Sequence, residues 1–478
     1  MPRRVAVIGG GISGLAAANR VRELDPSAEV ILFESSGRLG GVLQTERRDG
    51  WLIERSADMF TTREPWAIDL CRRIGIADEL IETDVRFRRA FVVHRGKLVP
   101  VPEGFTLMSP AKVWPVLSTP ILSPLGKLRL ACERLLPGRR DDFDESLESF
   151  TVRRFGREAF DRLIQPLIGG IYTADPAKLS MQATLPQFVE LERQFGSLIR
   201  GMQKKGSGFR VQGSDQKGQA AGARYGQFVA PREGMQRLVE AVAAKLPAGS
   251  VRLNAAVERI EYVDGWKVFI RGASEPHEFD ELILASPGAV SSRLLANVDG
   301  ELVSLIGRIP HAGCSVAVLG VRRDQIAHPL DGFGFVMPAI ENRRIIAGSM
   351  ASVKFPGRAP DGKVLLRVFV GGALQPELGE LSDERIRQIV REELGDLIGL
   401  HGEPEFCDVA RWSGMMPQYH VGHLDLVRKI EERAAAIPHF SMAGNAYRGV
   451  GIPFCVRSGE VAAEKIMQNT ECKMQNAD

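Results

Sequence analysis

The chain opens on a short apolar run, RVAVI at residues 4–8, of the kind that forms a strand buried on both faces. GGGISG follows, then LAAANRVREL, which reads as a helix that Asp25-Pro26 ends. EVILF at 29–33 predicts a second buried strand, so the first 33 residues form a βαβ unit of ordinary length. Residues 91–200 differ in character: they are apolar and punctuated by Pro, with helices predicted over 145–170 and 186–202. The stretch 201–226 is rich in Gly, Gln, Ser and Lys and reads as flexible. Strand-like runs return at 251–260, 266–271, 281–285, 314–321 and 364–370. The segment FSMAGNAYRGVGIPFCVRSGEVAAEKIM predicts a strand, a Gly-rich turn and a long helix starting near Pro453. No repeat of 20–50 residues is evident.

With 478 residues, two or three domains are expected. Hydrophobic residues at 44% and charged residues at 25% fit an ordinary globular protein. A net charge of +3 is too small to imply a nucleic-acid partner, and the short arginine clusters read as solvated faces. The six cysteines show no C-x-x-C spacing, so no zinc site or thioredoxin-like motif is indicated, and their sparseness fits a reducing compartment. The first glycine motif starts at Gly9, so no targeting peptide is expected ahead of it. No run of 18 apolar residues is present, so a transmembrane helix is not expected. A cytoplasmic location is expected, with peripheral contact at the inner face of the cell membrane left open. The stretch 105–136 mixes apolar residues with Lys112, Lys127, Arg129 and Arg134, which suits a helix on a bilayer and equally the outer wall of a pocket.

Gly9, Gly11 and Gly14 form G-x-G-x-x-G between a strand and a helix, with Ile12 and Ser13 in the turn. The first glycine permits the tight turn, the second lets a pyrophosphate approach, and the third lets helix and strand pack closely. The helix N-terminus then offers free N–H groups to phosphate. Glu34 ends the second strand and is placed to hydrogen-bond the adenosine ribose, which also disfavours a 2′-phosphate. The run Glu34-Ser35-Ser36-Gly37-Arg38-Leu39-Gly40-Gly41 resembles the E-x-x-x-R-x-G-G extension of the flavin amine oxidase superfamily. Arg38 can pair with a pyrophosphate, and Gly40 and Gly41 let backbone amides approach it. That superfamily usually has Gly-Pro where this chain has Ser56-Ala57. In that superfamily a strand here touches the adenine through its backbone, which makes Val257 a candidate, with an ordinary core valine the equal alternative; Trp412 is a candidate neighbour of the flavin, with plain packing the equal alternative. Gly444, Asn445, Val450, Gly451 and Ile452 form a second glycine turn ahead of a helix, suited to negative charge on a reduced flavin ring. Non-covalent FAD is therefore the expected cofactor, held by a discontinuous domain. Cys455 is expected to be a buried, inert thiol. His420 and His423 stand three residues apart without acidic or Cys neighbours, so a loop role is expected and no metal site is assigned.

Several segments together are similar to the protoporphyrinogen oxidase family, including the related coproporphyrinogen III oxidases. They are GGGISGLAAA, PLIGGIYTADPAKLSMQATLPQFVELERQFGSLIRGM at 166–202, GFGFVMP at 332–338, RWSGMMPQYHVGH at 411–423, and GNAYRGVGIPFCV at 444–456. The resemblance implies FAD-dependent, oxygen-using, six-electron oxidation of a porphyrinogen, protoporphyrinogen IX or coproporphyrinogen III, with release of hydrogen peroxide in haem biosynthesis. It implies hydride transfer to flavin without a protein nucleophile, so no catalytic residue is assigned. Gly169, Ile171 and Tyr172 of GIYTAD are candidates for an apolar substrate wall. Arg86 and Arg95, with Arg88 and Lys97, are candidate propionate partners. Transient contact with the next haem-pathway enzyme is a further implied partner. An amine oxidase, a carotenoid desaturase and a non-catalytic flavoprotein remain the competing readings.

The expected fold class is α/β: a discontinuous Rossmann-like FAD-binding domain, a mixed-sheet substrate domain and a helical subdomain, as in amine oxidases. The FAD domain is expected from 1–60, 225–297 and 405–470, and the substrate domain from 61–90 and 298–404. The helical subdomain is expected at 91–200, with a flexible linker at 201–224.

Overall fold

A computed structural model describes residues 2–110, 114–139, 141–205 and 225–474. Its centre is a five-stranded parallel sheet in the order Val251–Arg252, Glu29–Phe33, Arg4–Ile8, Glu281–Leu284, Phe440–Met442. The apolar continuity of RVAVI has a direct cause. Val5 and Val7 enter one core with Leu15, Val239 and Val456, while Ala6 and Ile8 enter another with Phe33, Trp266 and Leu284. Alternate side chains thus face opposite layers, and both layers are dry. Helix Ile12–Leu24 and helix Ile452–Met474 cover the first face together.

The predicted strand over 251–260 is split. Asn254 takes a left-handed conformation (φ 53°), and the chain turns between Val251–Arg252 and Val257–Tyr262. The first piece joins the parallel sheet, and the second pairs with Trp266–Ile270 in a separate three-stranded antiparallel sheet.

A seven-stranded mixed sheet runs Phe406–Arg411, Cys314–Arg322, Lys363–Gly371, Ala347–Met350, Gly334–Val336, Phe91–His94, Lys97–Pro100. Helix Asp383–Ile398 buries Ile386, Ile389, Val390 and Leu394 against one face. Trp51 and Ile53 of the hairpin Thr45–Arg48/Trp51–Glu54 cover Val316, Val318 and Leu365 on the other. A fifth core fills the helical region, where Leu147, Phe150, Leu163, Leu167, Phe188 and Leu191 meet.

Several expected boundaries shift. Residues 91–100, assigned to the helical subdomain, are a hairpin of the mixed sheet, because backbone pairing with Gly334–Val336 captures them. Phe406–Arg411, assigned to the FAD domain, pairs with Cys314–Arg322. Helix Trp66–Ile74, assigned to the substrate domain, buries Ala67, Leu70, Cys71 and Ile74 in the core of the parallel sheet. The stretch 105–136 is not one helix: Trp114–Ser118 and Pro124–Ala131 are separate, with Pro120 between them and Pro124 opening the second. Of the linker expected at 201–224, residues 206–224 lie outside the described residues.

Candidate functional site, a dinucleotide cradle and a second glycine turn

The glycine turn after Ile8 has one role per glycine. Gly9 is left-handed (φ 115°), and a Cβ there would lie 2.5 Å from the Ala285 carbonyl oxygen. A Cβ on Gly14 would lie 1.9 Å from the Gly9 carbonyl oxygen, so only glycine lets the helix start this close to the strand. Gly11 differs, since a Cβ there meets nothing within 4 Å. The middle glycine therefore borders open space at the start of helix Ile12–Leu24, which no side chain caps. Ser13 is buried in the first turn, at the close contact between the two covering helices. Uncapped amides beside an open glycine are the donor set that a pyrophosphate requires.

The acidic turn is built against this cradle. Glu34 accepts hydrogen bonds from the Gly10 N–H (2.8 Å), the Ser36 N–H (2.8 Å) and the Ser35 hydroxyl (3.2 Å). Asn254 and Ala255 donate their N–H groups to the Ser36 and Glu34 carbonyls, which brings Val257 to the same rim while its side chain enters the core. Gly40 donates to the Gly10 carbonyl (2.8 Å), and Gly41 comes within van der Waals reach of Gly11. Arg38 ties this second glycine pair together by donating to the carbonyls of Leu39, Gly41 and Leu43. It is thus the local organiser of the turn.

The Ser56-Ala57 departure is accommodated. The Ser56 hydroxyl donates to the Val42 carbonyl (2.6 Å), and the Ser56 carbonyl accepts from Arg367. Arg367 (2.9 Å) and Lys354 (2.6 Å) both pair with buried Asp58. Burial works against the Asp58 carboxylate, but the two cations outweigh it and hold the carboxyl well below its ordinary range. Trp412, expected beside the flavin, donates its indole N–H to the Arg55 carbonyl of the same loop (2.7 Å).

The second glycine turn joins strand Phe440–Met442 to helix Ile452–Met474. Gly444 and Gly449 are left-handed, and the Asn445 side chain donates to the Met415 carbonyl (3.2 Å). Val450 packs on the helical core, and Gly451 leads into the helix. A Cβ on Gly459 would lie 2.0 Å from the Ser13 carbonyl oxygen, so the two covering helices touch there. Gly459 stands seven residues past Ile452, which puts the second N-terminus roughly 10 Å along the axis from that contact. Cys455 is buried against the Val450 carbonyl, and burial pushes its thiol up to about 12, leaving a poor nucleophile.

The candidate substrate residues are only partly brought together. Helix Gln165–Tyr172 crosses strand Gly334–Val336, where a Cβ on Gly170 would meet Val336 at 3.2 Å and one on Gly169 would meet Gln165. Ile171 is on this helix, with its side chain outside the described part. Tyr172 donates to the Thr184 carbonyl (3.3 Å), and burial pushes its phenol up to about 12. Arg86 does not join this helix: it is exposed and pairs with Asp84. Arg95 occupies the left-handed tip of the Phe91–His94/Lys97–Pro100 hairpin, its N–H donating to Glu341. The cation whose charge acts on Tyr172 is Arg63. No sequence signal marked it, because residues 63 and 172 lie far apart in sequence. Gly459 carried a weak signal, a lone glycine inside an apolar helix. Among the described residues no cluster of His, Cys, Asp and Glu could hold a metal ion.

Comparison with known proteins agrees with this geometry. The sequence profile of the family described as flavin containing amine oxidoreductase matches residues 12–467. The chain belongs to that family of flavoprotein oxidoreductases, and FAD is its cofactor. Among characterised relatives, the chain is 34% identical to a coproporphyrinogen III oxidase of Bacillus subtilis (strain 168), over 96% of this chain and 97% of that one. It is 28% identical to a mitochondrial protoporphyrinogen oxidase of Nicotiana tabacum, over 98% of this chain and 95% of that one. A crystal structure from Exiguobacterium sp. 255-15, provisionally assigned as a protoporphyrinogen oxidase, superposes with a TM-score of 0.86 at 29% identity, covering 98% of this chain and 99% of that one.

Proposed function

We propose that this enzyme oxidises a porphyrinogen to the porphyrin in haem biosynthesis, removing six electrons and passing them to three molecules of oxygen to give hydrogen peroxide. The observation that carries this reading is the end-to-end similarity to coproporphyrinogen III oxidase, at 34% identity over 96% of the chain. That level exceeds the 28% shared with the tobacco protoporphyrinogen oxidase, so coproporphyrinogen III is the substrate we favour.

Bound FAD supplies the two-electron acceptor and its reoxidation by oxygen. The residues of the chain bind and orient. Gly9, Gly11, Ile12, Ser13 and Gly14 would hold the pyrophosphate, with Glu34, Ser35 and the Val257 backbone on the adenosine side. Arg38, Gly40 and Gly41 would shape the same turn. Gly444, Asn445, Val450, Gly451 and Ile452 would hold the ring, where the amides at the helix start favour negative charge. Trp412 would stand behind the Ser56 loop. Gly169 and Tyr172 would form part of an apolar wall, with the Tyr172 phenol protonated throughout the working pH range. Arg86 and Arg95 stay the candidate propionate partners, and Arg63, whose charge acts on Tyr172, joins them.

The test is porphyrin fluorescence formed in air by the purified protein from each porphyrinogen, with bound flavin and peroxide counted alongside. Coproporphyrinogen III is expected to react faster. Preference for protoporphyrinogen IX would move the substrate assignment. Reaction of neither above the spontaneous rate, with FAD fully bound, would overturn the reading.

We further propose a cytoplasmic enzyme with peripheral membrane contact. Among the described residues, no helix is long and apolar enough to cross a membrane. Trp114, Leu117, Leu125, Leu128 and Leu135 are exposed on the short helices of 114–135, with Lys127 and Arg134 among them.

A further inference from the structure

The segments 166–202 and 411–423 meet in the fold. The Ser180 N–H donates to the Tyr419 carbonyl (2.7 Å), and the Val421 N–H donates to the Lys178 carbonyl (2.9 Å). The Asp144 carboxylate accepts from the Ser180 hydroxyl (2.6 Å), the Gly422 N–H (3.0 Å) and the Gln182 N–H (3.2 Å). Residues 419–422 are thereby fixed to the helical region.

From this anchor two buried rings reach the second glycine turn. Tyr419 and His423 stack with centroids 3.9 Å apart and planes 12° from parallel. The Tyr419 hydroxyl donates to the Asn445 carbonyl, and His423 Nε2 donates to the Tyr447 carbonyl (2.9 Å). A carbonyl accepts only, so the network assigns the proton to Nε2 and leaves Nδ1 bare in the neutral ring. Burial pushes the imidazole down to about 4, and Arg448 and His420 add to this. The Tyr447 hydrogen bond and Asp144 oppose it.

We propose that the stacked Tyr419–His423 pair is a positioning device, which locks the flavin-side turn at Asn445–Tyr447 to the helical region and loosens when His423 gains a proton. The proposal rests on the FAD site and not on the identity of the substrate. Its sign follows from burial. With the folded value depressed, the lock is complete above the ordinary imidazole value of 6.5 and is lost as pH falls toward about 4. A charged imidazolium escapes its desolvation by leaving the stack, and the turn goes with it.

The test follows FAD release from the holoenzyme by the rise in flavin fluorescence, without substrate, from pH 5 to 8. At pH 8, Tyr419→Phe and His423→Phe are each expected to release FAD about tenfold faster, and His423→Gln, which keeps an amide donor, within about threefold of the parent. Packing alone predicts the reverse order, with the apolar ring of His423→Phe the better replacement. Release from the parent is expected to accelerate below about pH 6.5, and His423→Gln is expected to lose most of that acceleration. Release by both Phe variants within twofold of the parent would overturn the proposal, as would an unchanged acid limb in His423→Gln. Should His423→Phe fail to fold, Tyr419→Phe removes a single oxygen and decides the same point. Because no porphyrinogen is present, either result leaves the proposed reaction to its own test.

Discussion

Two buried cations depend on Asp58. Lys354 and Arg367 have almost no exposure, and both pair with its carboxylate. Removing that charge leaves two unpaired cations in a dry site, which costs more than the pair itself contributes. Asp58→Asn is therefore expected to lower stability at pH 7 by about 3–5 kcal/mol. Thermal unfolding reads this directly, and the double variant Asp58→Asn/Lys354→Met should recover part of the loss because the sites are coupled. A double variant as unstable as the sum of its parts would rule out the coupling. With the carboxyl held below its ordinary 3.8, the contribution is intact above that pH and fades only as pH falls beneath it.

At the scale of elements, helix Ile452–Met474 packs directly on helix Ile12–Leu24, and the proposed FAD site depends on this packing to bring the two glycine turns to one cofactor. Gly459 is where this packing is tightest. Gly459→Val drives a branched side chain into the Ser13 carbonyl, and backbone cannot yield as a side-chain tip can. Overpacking of this kind costs about 1–3 kcal/mol or more. We expect at least half of the FAD to be lost on gel filtration, with a lower thermal midpoint. Gly307→Ala is the control: nothing lies within 4 Å of its Cβ, and the loss of unfolded-state freedom should stabilise the protein by about 0.4–1 kcal/mol. Full FAD retention in Gly459→Val would show that the helix can shift without disturbing the cradle.

At the scale of the molecule, Trp114, Leu117, Leu125, Leu128 and Leu135 stand exposed on the short helices of 114–135, while other exposed apolar side chains are spread over the described surface. Leu125 and Leu128 flank Lys127 on helix Pro124–Ala131. An apolar face with cations beside it suits anionic lipid. The protein is expected to co-sediment with anionic vesicles at low ionic strength, and Leu125→Asp/Leu128→Asp is expected to reduce the bound fraction by more than half. Absence of binding by the parent protein at low salt would dismiss membrane contact.

The βαβ unit, the glycine spacing, the acid at the end of the second strand and the final strand–turn–helix were all legible in the sequence. Each is contained in a few tens of residues, where side-chain period and glycine placement act locally. Four features belonged to the tertiary structure alone. The run at 251–260 divides between two sheets at Asn254. The strands at 91–100 and 406–411 belong to the mixed sheet. Arg63, far from Tyr172 in sequence, brings its charge to bear on that phenol. Two rings at 419 and 423 reach carbonyls at 445 and 447. An apolar period states that a face is buried but not against what. Which distant partner covers it depends on the closure of long loops and on the fit of complete surfaces, and neither is written in any short window of the chain.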